Sequence, residues 1–367
     1  MRPLSILHTE SSLGWGGQEI RILSEARGMI ARGHEVRVIG AEGARIVEEA
    51  PAWGVPVFAL PIAKKRLIGL KCMLEWLKRE RRAHVVSTHS STDAWLVAIA
   101  LFALGRPMPM VRTRHISAPV RRDALTRWLY TRATARIVTT GEALKDELVK
   151  HNGFRADRID SIPTGIDAGR FAPGDRAAAR AALGLPAGVP LVGIVATLRS
   201  WKGHRHLVEA LNGLPAKAQL VIVGDGPQRP ALEALVDRLQ LRARVRFAGN
   251  QADVLPWLQA LDVFVLPSYA NEGVPQALVQ AMLTALPCVT THVGSIAELA
   301  IAERTALVVA PKDVEALRAA IRRLLEDRDL AGALGRAARE HCAKDYSYER
   351  MLDRMEQVYR EAAGRPA

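Results

Sequence analysis

The distribution of apolar residues constrains this chain more tightly than any single motif. Short runs rich in Val, Ile and Leu alternate with longer stretches of helical period. Such alternation predicts parallel β-sheets assembled from βαβ units, an α/β class. In the first half the strand-like runs lie at 4–9, 35–40, 56–60, 84–88, 109–113 and 135–139. The pattern then restarts, at 191–197, 219–224, 245–248, 263–267, 287–291 and 306–309. Between the two series lie Pro163-Thr164-Gly165-Ile166-Asp167 and Phe171-Ala172-Pro173-Gly174, the best linker in the sequence. We therefore expect a Rossmann-like domain over 1–170 and a second over 171–345. A helical stretch in 346–367 is placed to pack back on the first domain. Two such domains facing each other would put a ligand cleft between the carboxyl ends of their sheets.

A length of 367 residues suits two domains, and 49% hydrophobic residues supply their cores. No apolar run reaches the roughly 18 residues of a membrane span; 94–104 reads as a buried helix. No signal-peptide pattern precedes the first strand-like run. Three cysteines, Cys72, Cys288 and Cys342, are widely spaced and unpaired in pattern, which points to a reducing, cytoplasmic setting.

The net charge of +13 is concentrated at the front: residues 1–170 hold 27 Lys and Arg against 17 Asp and Glu. Nucleic acid, an anionic membrane surface or a phosphorylated substrate would each answer that charge. Nucleic acid is disfavoured because no recognition motif or aromatic–basic interleaving accompanies it. The densest stretch, 64–82, carries Leu67, Leu70, Leu74 and Leu77 at helical spacing. It reads either as a helix lying on anionic lipid or as the solvated face of a core-packed helix.

Four segments carry chemistry. Gly14-Trp15-Gly16-Gly17-Gln18-Glu19 follows the first strand and opens a helix near Ile20. Its glycines let backbone N–H groups approach an anion, with the helix N-terminus adding positive charge. Glu19 stands where a dinucleotide fingerprint needs its third glycine. Past the strand at 191–197, Arg199 and Lys202 are placed to close on a diphosphate, one bidentately and one as a point charge. Gly224-Asp225-Gly226-Pro227 reads as a structural turn. Finally, the strand at 263–267 leads to Asn271-Glu272-Gly273-Val274 and a helix expected from about Pro275. There the N–H groups of residues 273–276 would face a phosphate or sugar oxygen, Glu272 sugar hydroxyls, and Gln280 a ribose. Asp327-Arg328-Asp329, the one Asp-x-Asp, sits in an Arg-rich helical end and reads as surface rather than a metal site.

Taken together and in order, these segments resemble the family 4 retaining glycosyltransferases of the GT-B fold (glycosyl transferases group 1). The matching residues are Gly16-Gly17-Gln18-Glu19, Arg199 with Lys202-Gly203, Gly224-Asp225-Gly226-Pro227, and Glu272-Gly273-Val274-Pro275 ahead of Gln280-Ala281-Met282. The resemblance implies two facing Rossmann-like domains with an interdomain cleft, and transfer from a nucleotide-diphosphate-sugar to a glycan or glycolipid. It implies no metal and no other cofactor. Gly16 and Gly17 would approach the donor diphosphate from an acceptor-side N-terminal domain. Arg199 and Lys202 would hold that diphosphate, and Glu272 the donor sugar. Gly273, Val274 and Pro275 would complete the donor site, and His115, after the strand at 109–113, would lie near the reaction centre. Gln280 departs from the pattern, which has a second Glu there. An amide keeps hydrogen bonds to the ribose but loses the charge-assisted one.

The basic N-terminal half favours a phosphorylated glycolipid or lipopolysaccharide core as acceptor, at the inner face of the cytoplasmic membrane. Three rival readings carry their own signatures. A sugar-nucleotide epimerase of the same architecture would convert a donor without releasing nucleotide. A non-catalytic sugar-nucleotide-binding protein would bind without turnover. A nicotinamide-dependent dehydrogenase is disfavoured by Glu19, although Glu42 lies just past the second strand.

Overall fold

Apolar strands buried on both faces need helices over each face, and this chain satisfies that requirement twice. The structure is a computed structural model and describes residues 2–80, 82–116 and 118–364. Arg81, within the basic stretch, and residues 365–367, at the end of the expected C-terminal region, lie outside the described residues.

The chain divides into two units: residues 1–164 with 349–367, and residues 165–348. The expected boundaries at 170 and 345 lie close to these crossings. The N-terminal unit holds β1 (Ser5–Glu10), β2 (Glu35–Ala41), β3 (Val57–Leu60), β4 (Val85–Thr88), β5 (Met110–Arg114), β6 (Arg136–Thr139) and β7 (Ile159–Ser161). They form one parallel sheet in the order β3-β2-β1-β4-β5-β6-β7. The C-terminal unit holds β8 (Leu191–Val195), β9 (Gln219–Val223), β10 (Val245–Gly249), β11 (Val263–Leu266), β12 (Cys288–Thr291) and β13 (Leu307–Val309). Its sheet is also parallel, in the order β10-β9-β8-β11-β12-β13. Every strand expected from the sequence is present. β7 was not foreseen, because it is three residues long with the polar Asp160 at its centre, ion-paired to Arg136 at 2.6 Å.

In each sheet the strand order reverses beside the first strand. The neighbours there are β1 and β4 in one unit, β8 and β11 in the other. The loops leaving the carboxyl ends of two such strands run to opposite faces of the sheet and leave a crevice between them. Each unit therefore has one topologically favoured place for a ligand.

The helix Tyr348–Ala362 packs within the N-terminal unit. Arg32 bridges to Glu349 and Asp353 at 2.7 and 2.8 Å, and the Tyr359 hydroxyl donates to buried Glu25. The helix Leu67–Arg79 resolves the two readings of the basic stretch in part. Its packed side is Gly69, Met73 and Leu77, while Leu70 and Leu74 are half-buried and Leu67 is 85% exposed. The helix is a core-packed element with an exposed apolar tip.

Asp262 ties the C-terminal unit together. Its buried carboxylate accepts from Arg180 at 2.8 Å, the Leu191 backbone N–H at 2.8 Å and Arg176 at 2.9 Å. Removing it leaves the buried Arg180 guanidinium unpaired, so Asp262→Ala is expected to cost ~3–5 kcal/mol. Arg176 is half-exposed, and Arg176→Ala should cost under about 1 kcal/mol. Calorimetric melting of both variants checks the contrast.

Candidate functional site

In the C-terminal unit the crevice is bordered by the loop after β8, which carries residues 196–203, and the loop after β11, which carries residues 267–275. They are held in contact by backbone geometry. The Tyr269 N–H donates to the Trp201 carbonyl at 2.8 Å. Gly203 has a φ of +76°, and a Cβ there would sit 2.1 Å from the Pro267 carbonyl oxygen, so only glycine permits this approach. Gly294 does the same on the far side: with φ +57°, its Cβ would lie 2.2 Å from the Glu272 carbonyl oxygen. The turn 224–227 braces the first loop, since Leu198 N–H donates to Asp225 O and Gln228 N–H to Leu198 O, each at 3.0 Å.

These constraints bring Lys202 and Glu272, seventy positions apart, into direct contact. The Lys202 ammonium donates to Glu272 Oε1 at 2.7 Å and Oε2 at 2.9 Å. Ser268 Oγ donates to Oε1 at 2.6 Å, so three hydrogen bonds fix a carboxylate that is 3% exposed. His204, next to this pair, is buried and pushed down to about 3, by burial first and by Lys202 second. It is neutral, so Lys202 meets no second cation there. Arg199 precedes the single 3₁₀ turn Ser200–Lys202; its side chain is exposed, with the guanidinium 5.9 Å from the Trp201 ring. Gly273, Val274 and Pro275 are buried behind Glu272. The helix starts one residue later than expected, at Gln276, with Pro275 as its extended N-cap. Pro275 has no N–H, so it drops out of the expected row of donors. Gln280 is the fifth residue of that helix and half-buried.

The N-terminal crevice lies beyond β1 and β4. Gly16 is the extended N-cap and Gly17 the first residue of the helix Gly17–Ala31, three residues ahead of the expected start. Beneath this turn is a polar cluster. Asp93 accepts four hydrogen bonds, from Thr9 Oγ1 at 2.8 Å, the His89 and Ser90 N–H groups at 2.9 Å each, and Ser90 Oγ at 2.6 Å. Glu10 accepts from the Ser12 N–H at 2.7 Å and from the Gln18 amide. Burial and the nearby Asp93 push the Glu10 carboxyl up to about 8. Glu19 is raised as well, by burial. Burial raises the Asp93 carboxyl too, against the pull of its four donors.

Three imidazoles continue the cluster. His8 Nδ1 lies 2.9 Å from His89 Nε2, and His89 Nδ1 lies 3.1 Å from His115 Nε2. All three pKa values are lowered, in each case chiefly by burial. Arg112 is buried in the middle of β5, reaching toward the Ser90 carbonyl at 3.5 Å and lying 4.9 Å from the Tyr130 ring.

Residues 15–170 match the family described as Glycosyltransferase Family 4, and residues 189–327 match Glycosyl transferases group 1. The chain belongs to the family 4, group 1 glycosyltransferases. Among curated relatives, a D-inositol 3-phosphate glycosyltransferase of Nocardia farcinica is 31% identical over 64% of this chain and 58% of its own length. A 2-deoxystreptamine glucosyltransferase of Streptomyces kanamyceticus is 28% identical over 89% of this chain and 94% of its own length. A glycosyltransferase from Rickettsia africae superposes with a TM-score of 0.87 at 21% identity, covering 99% of both chains. Anabaena HepE in complex with UDP-glucose superposes with a TM-score of 0.87 at 20% identity, covering 98% of this chain and all of that one. These structures share the GT-B fold with the protein.

Within this glycosyltransferase, sequence reasoning missed Ser268, which orients Glu272, and the cluster of His8, Glu10, His89 and Asp93. The available signal was positional: Glu10 ends β1 and His89 follows β4, the two strands at the reversal. Asp327 is a helix cap, its side chain accepting from Leu330 N–H at 2.9 Å.

The Glu10 carboxyl titrates higher in the folded chain than its ordinary value of 4.5. Its contribution to stability is thus complete below that value and is lost as pH rises through about 8. Urea unfolding of the wild type is expected to show stability falling from pH 5 to pH 9. In Glu10→Gln that fall should shrink by on the order of a few kcal/mol. An unchanged pH slope in the variant would exclude Glu10 as the proton holder.

Proposed function

We propose that this glycosyltransferase transfers a sugar, with retention of anomeric configuration, from a nucleotide-diphosphate-sugar to a phosphorylated glycolipid at an anionic membrane surface. The observation carrying the donor assignment is the Lys202–Glu272 pair at the crevice of the C-terminal unit, with Arg199 just ahead of the turn that carries Lys202. A nucleotide-sugar brings what this pair needs from a ligand. Its diphosphate engages the ammonium and guanidinium, and its sugar hydroxyls donate to the carboxylate. HepE, which has the same fold, is bound to UDP-glucose, and that agrees with this donor class.

As the glycosidic bond breaks, negative charge grows on the leaving diphosphate. Lys202 and Arg199 then stabilise the transition state more than the ground state, without a metal or other cofactor. Glu272 is already committed to Lys202 and Ser268, so it orients the donor sugar rather than attacking it. Retention then follows from attack on the face from which the leaving group departs. The family resemblance assigns His115 to the donor sugar and Gly16 and Gly17 to the diphosphate, and Gln280 stands where the family pattern has its ribose-binding Glu.

The acceptor reading rests on the N-terminal unit. Lys65 lies 3.4 Å from Ser91 Oγ and 5.6 Å from the Trp95 ring, and Arg112 reaches the adjacent Ser90. The Lys65 ammonium is destabilised by burial and then by Arg112 and Arg121, a crowding of cations that an acceptor phosphate would relieve. Beyond them an apolar strip runs along the helix Ser91–Ala103 through Trp95, Ile99 and Phe102, flanked by Trp128 and by Leu125, 69% exposed. Lys64, Lys65 and Arg66 precede the exposed Leu67 and Ile68. Basic residues around half-buried Trp and exposed Leu and Phe suit an anionic lipid interface. No helix among the described residues is long and apolar enough to cross a membrane.

Arg199→Ala and Lys202→Ala are each expected to lower transfer at least about tenfold, the loss of one charge at the leaving group. Release of nucleoside diphosphate from a donor chosen by thermal-shift screening measures this, and wild-type rates in both would remove the diphosphate assignment. For the acceptor side, the protein should co-sediment with vesicles containing anionic lipid but not with neutral ones. Combining Lys65→Glu with Leu67→Glu should reduce binding several-fold, since each basic residue near the surface contributes about 1 kcal/mol.

A further inference from the structure

His8, His89 and His115 come from three neighbouring places in the sheet: within β1, just past β4 and just past β5. Parallel pairing sets them side by side, with His8 opposite Ser87 and Thr88 opposite Arg112. Their rings follow one another at 5.2 and 5.3 Å, joined by the two nitrogen–nitrogen contacts of 2.9 and 3.1 Å. His8 and His89 are buried, and His115, half-buried, is the open end of the row.

A neutral imidazole carries one N–H and one bare nitrogen. Each contact needs one proton between its two nitrogens, so three neutral rings admit two arrangements only. In one, His8 Nδ1–H donates to His89 Nε2, His89 Nδ1–H donates to His115 Nε2, and His115 keeps its proton on Nδ1. In the other every bond reverses, which leaves His8 with an N–H at Nε2 and His115 with a bare Nδ1.

The closed end discriminates between them. His8 Nε2 is buried and has no hydrogen-bond partner among the described residues. An orphaned buried N–H is rarer in folded proteins than an orphaned acceptor, so the first arrangement is favoured. Glu25 and, less strongly, Arg21 act on His8 with opposite signs. Ser87 Oγ, 3.4 Å from His89 Nε2, can donate or accept and so serves either arrangement.

We propose that His8 and His89 are positioning residues that fix His115 as the Nδ1–H tautomer, so that it meets a ligand as a hydrogen-bond donor. On this assignment His115 donates to an oxygen of the sugar and does not take the acceptor's proton. The catalytic consequence rests on the placement of His115 near the donor sugar; the tautomer does not.

Long-range proton–nitrogen correlation spectra of the ¹⁵N-histidine-labelled full chain, without ligand, read the tautomer directly. The expected result is protonated Nδ1 on His115 and on His89 in the wild type. In His89→Leu, whose folding is checked by melting, His115 should lose this preference and shift toward Nε2–H. Transfer by that variant should fall in kcat, with donor Kd changed less than about twofold. Nε2–H on wild-type His115 would overturn the proposal whether or not any variant folds, and so would an unchanged His115 tautomer in a folded His89→Leu. A wild-type Nδ1–H tautomer together with full transfer by His115→Ala would instead leave the relay standing and remove His115 from the donor site.

Discussion

Parallel strand pairing with both sheet faces buried is the constraint from which the rest of this protein follows. It forces helices onto both faces, and covering both requires the strand order to reverse once. The reversal leaves a crevice at the carboxyl ends of two adjacent strands. In the C-terminal unit those strands are β8 and β11, and in the N-terminal unit β1 and β4. Every residue given a role above lies on a loop or strand end at one of these reversals or on an element packed beside it. The chemistry is thus placed by topology first and tuned by side chains second.

The two crevices handle charge in opposite ways. In the C-terminal unit an ammonium and a carboxylate face each other at hydrogen-bond distance, with Lys202 still partly exposed. A pair of that kind can be exchanged, because a ligand carrying both an anion and hydroxyls offers each partner a substitute. In the N-terminal unit the titratable groups are enclosed, and burial drives them toward neutrality: Glu10 upward, the three histidines downward. Neutral groups there hold a fixed pattern of donors and acceptors, which suits orientation rather than charge stabilisation.

Much of this was legible in the sequence, for identifiable reasons. Strands of four or more apolar residues announce themselves, whereas β7, Ile-Asp-Ser, is held by pairing to β6 and has no apolar signature of its own. Arg199, Lys202 and Glu272 stood out as candidates because they sit in loops next to strong strands, where a charged residue is conspicuous. Ser268 was not, since a serine after Pro267 looks like any turn residue until Glu272 is folded over it. The leucine series 67, 70, 74, 77 left open which stripe of its helix is packed, and only Leu77 of the four is fully buried. Packing follows Gly69, Met73 and Leu77, spaced four apart, and Gly69 is there because a Cβ would lie 2.7 Å from the Pro61 carbonyl oxygen.

The histidines were the hardest to read, and their case shows what a single sequence conceals. His8 is the middle of an apolar strand and His89 follows one, so each alone is an ordinary buried histidine. Their significance comes from the strand order β1-β4-β5, which makes residues 8, 89 and 115 neighbours although 81 and 26 positions separate them. Once they are adjacent, protons cannot be assigned to the rings independently, because each bond allows only one. A state chosen at the buried end, where His8 Nε2 lacks a partner, is therefore imposed two rings away on the half-buried His115. Hydrogen-bond satisfaction inside the N-terminal unit in this way selects the chemical face presented at its surface.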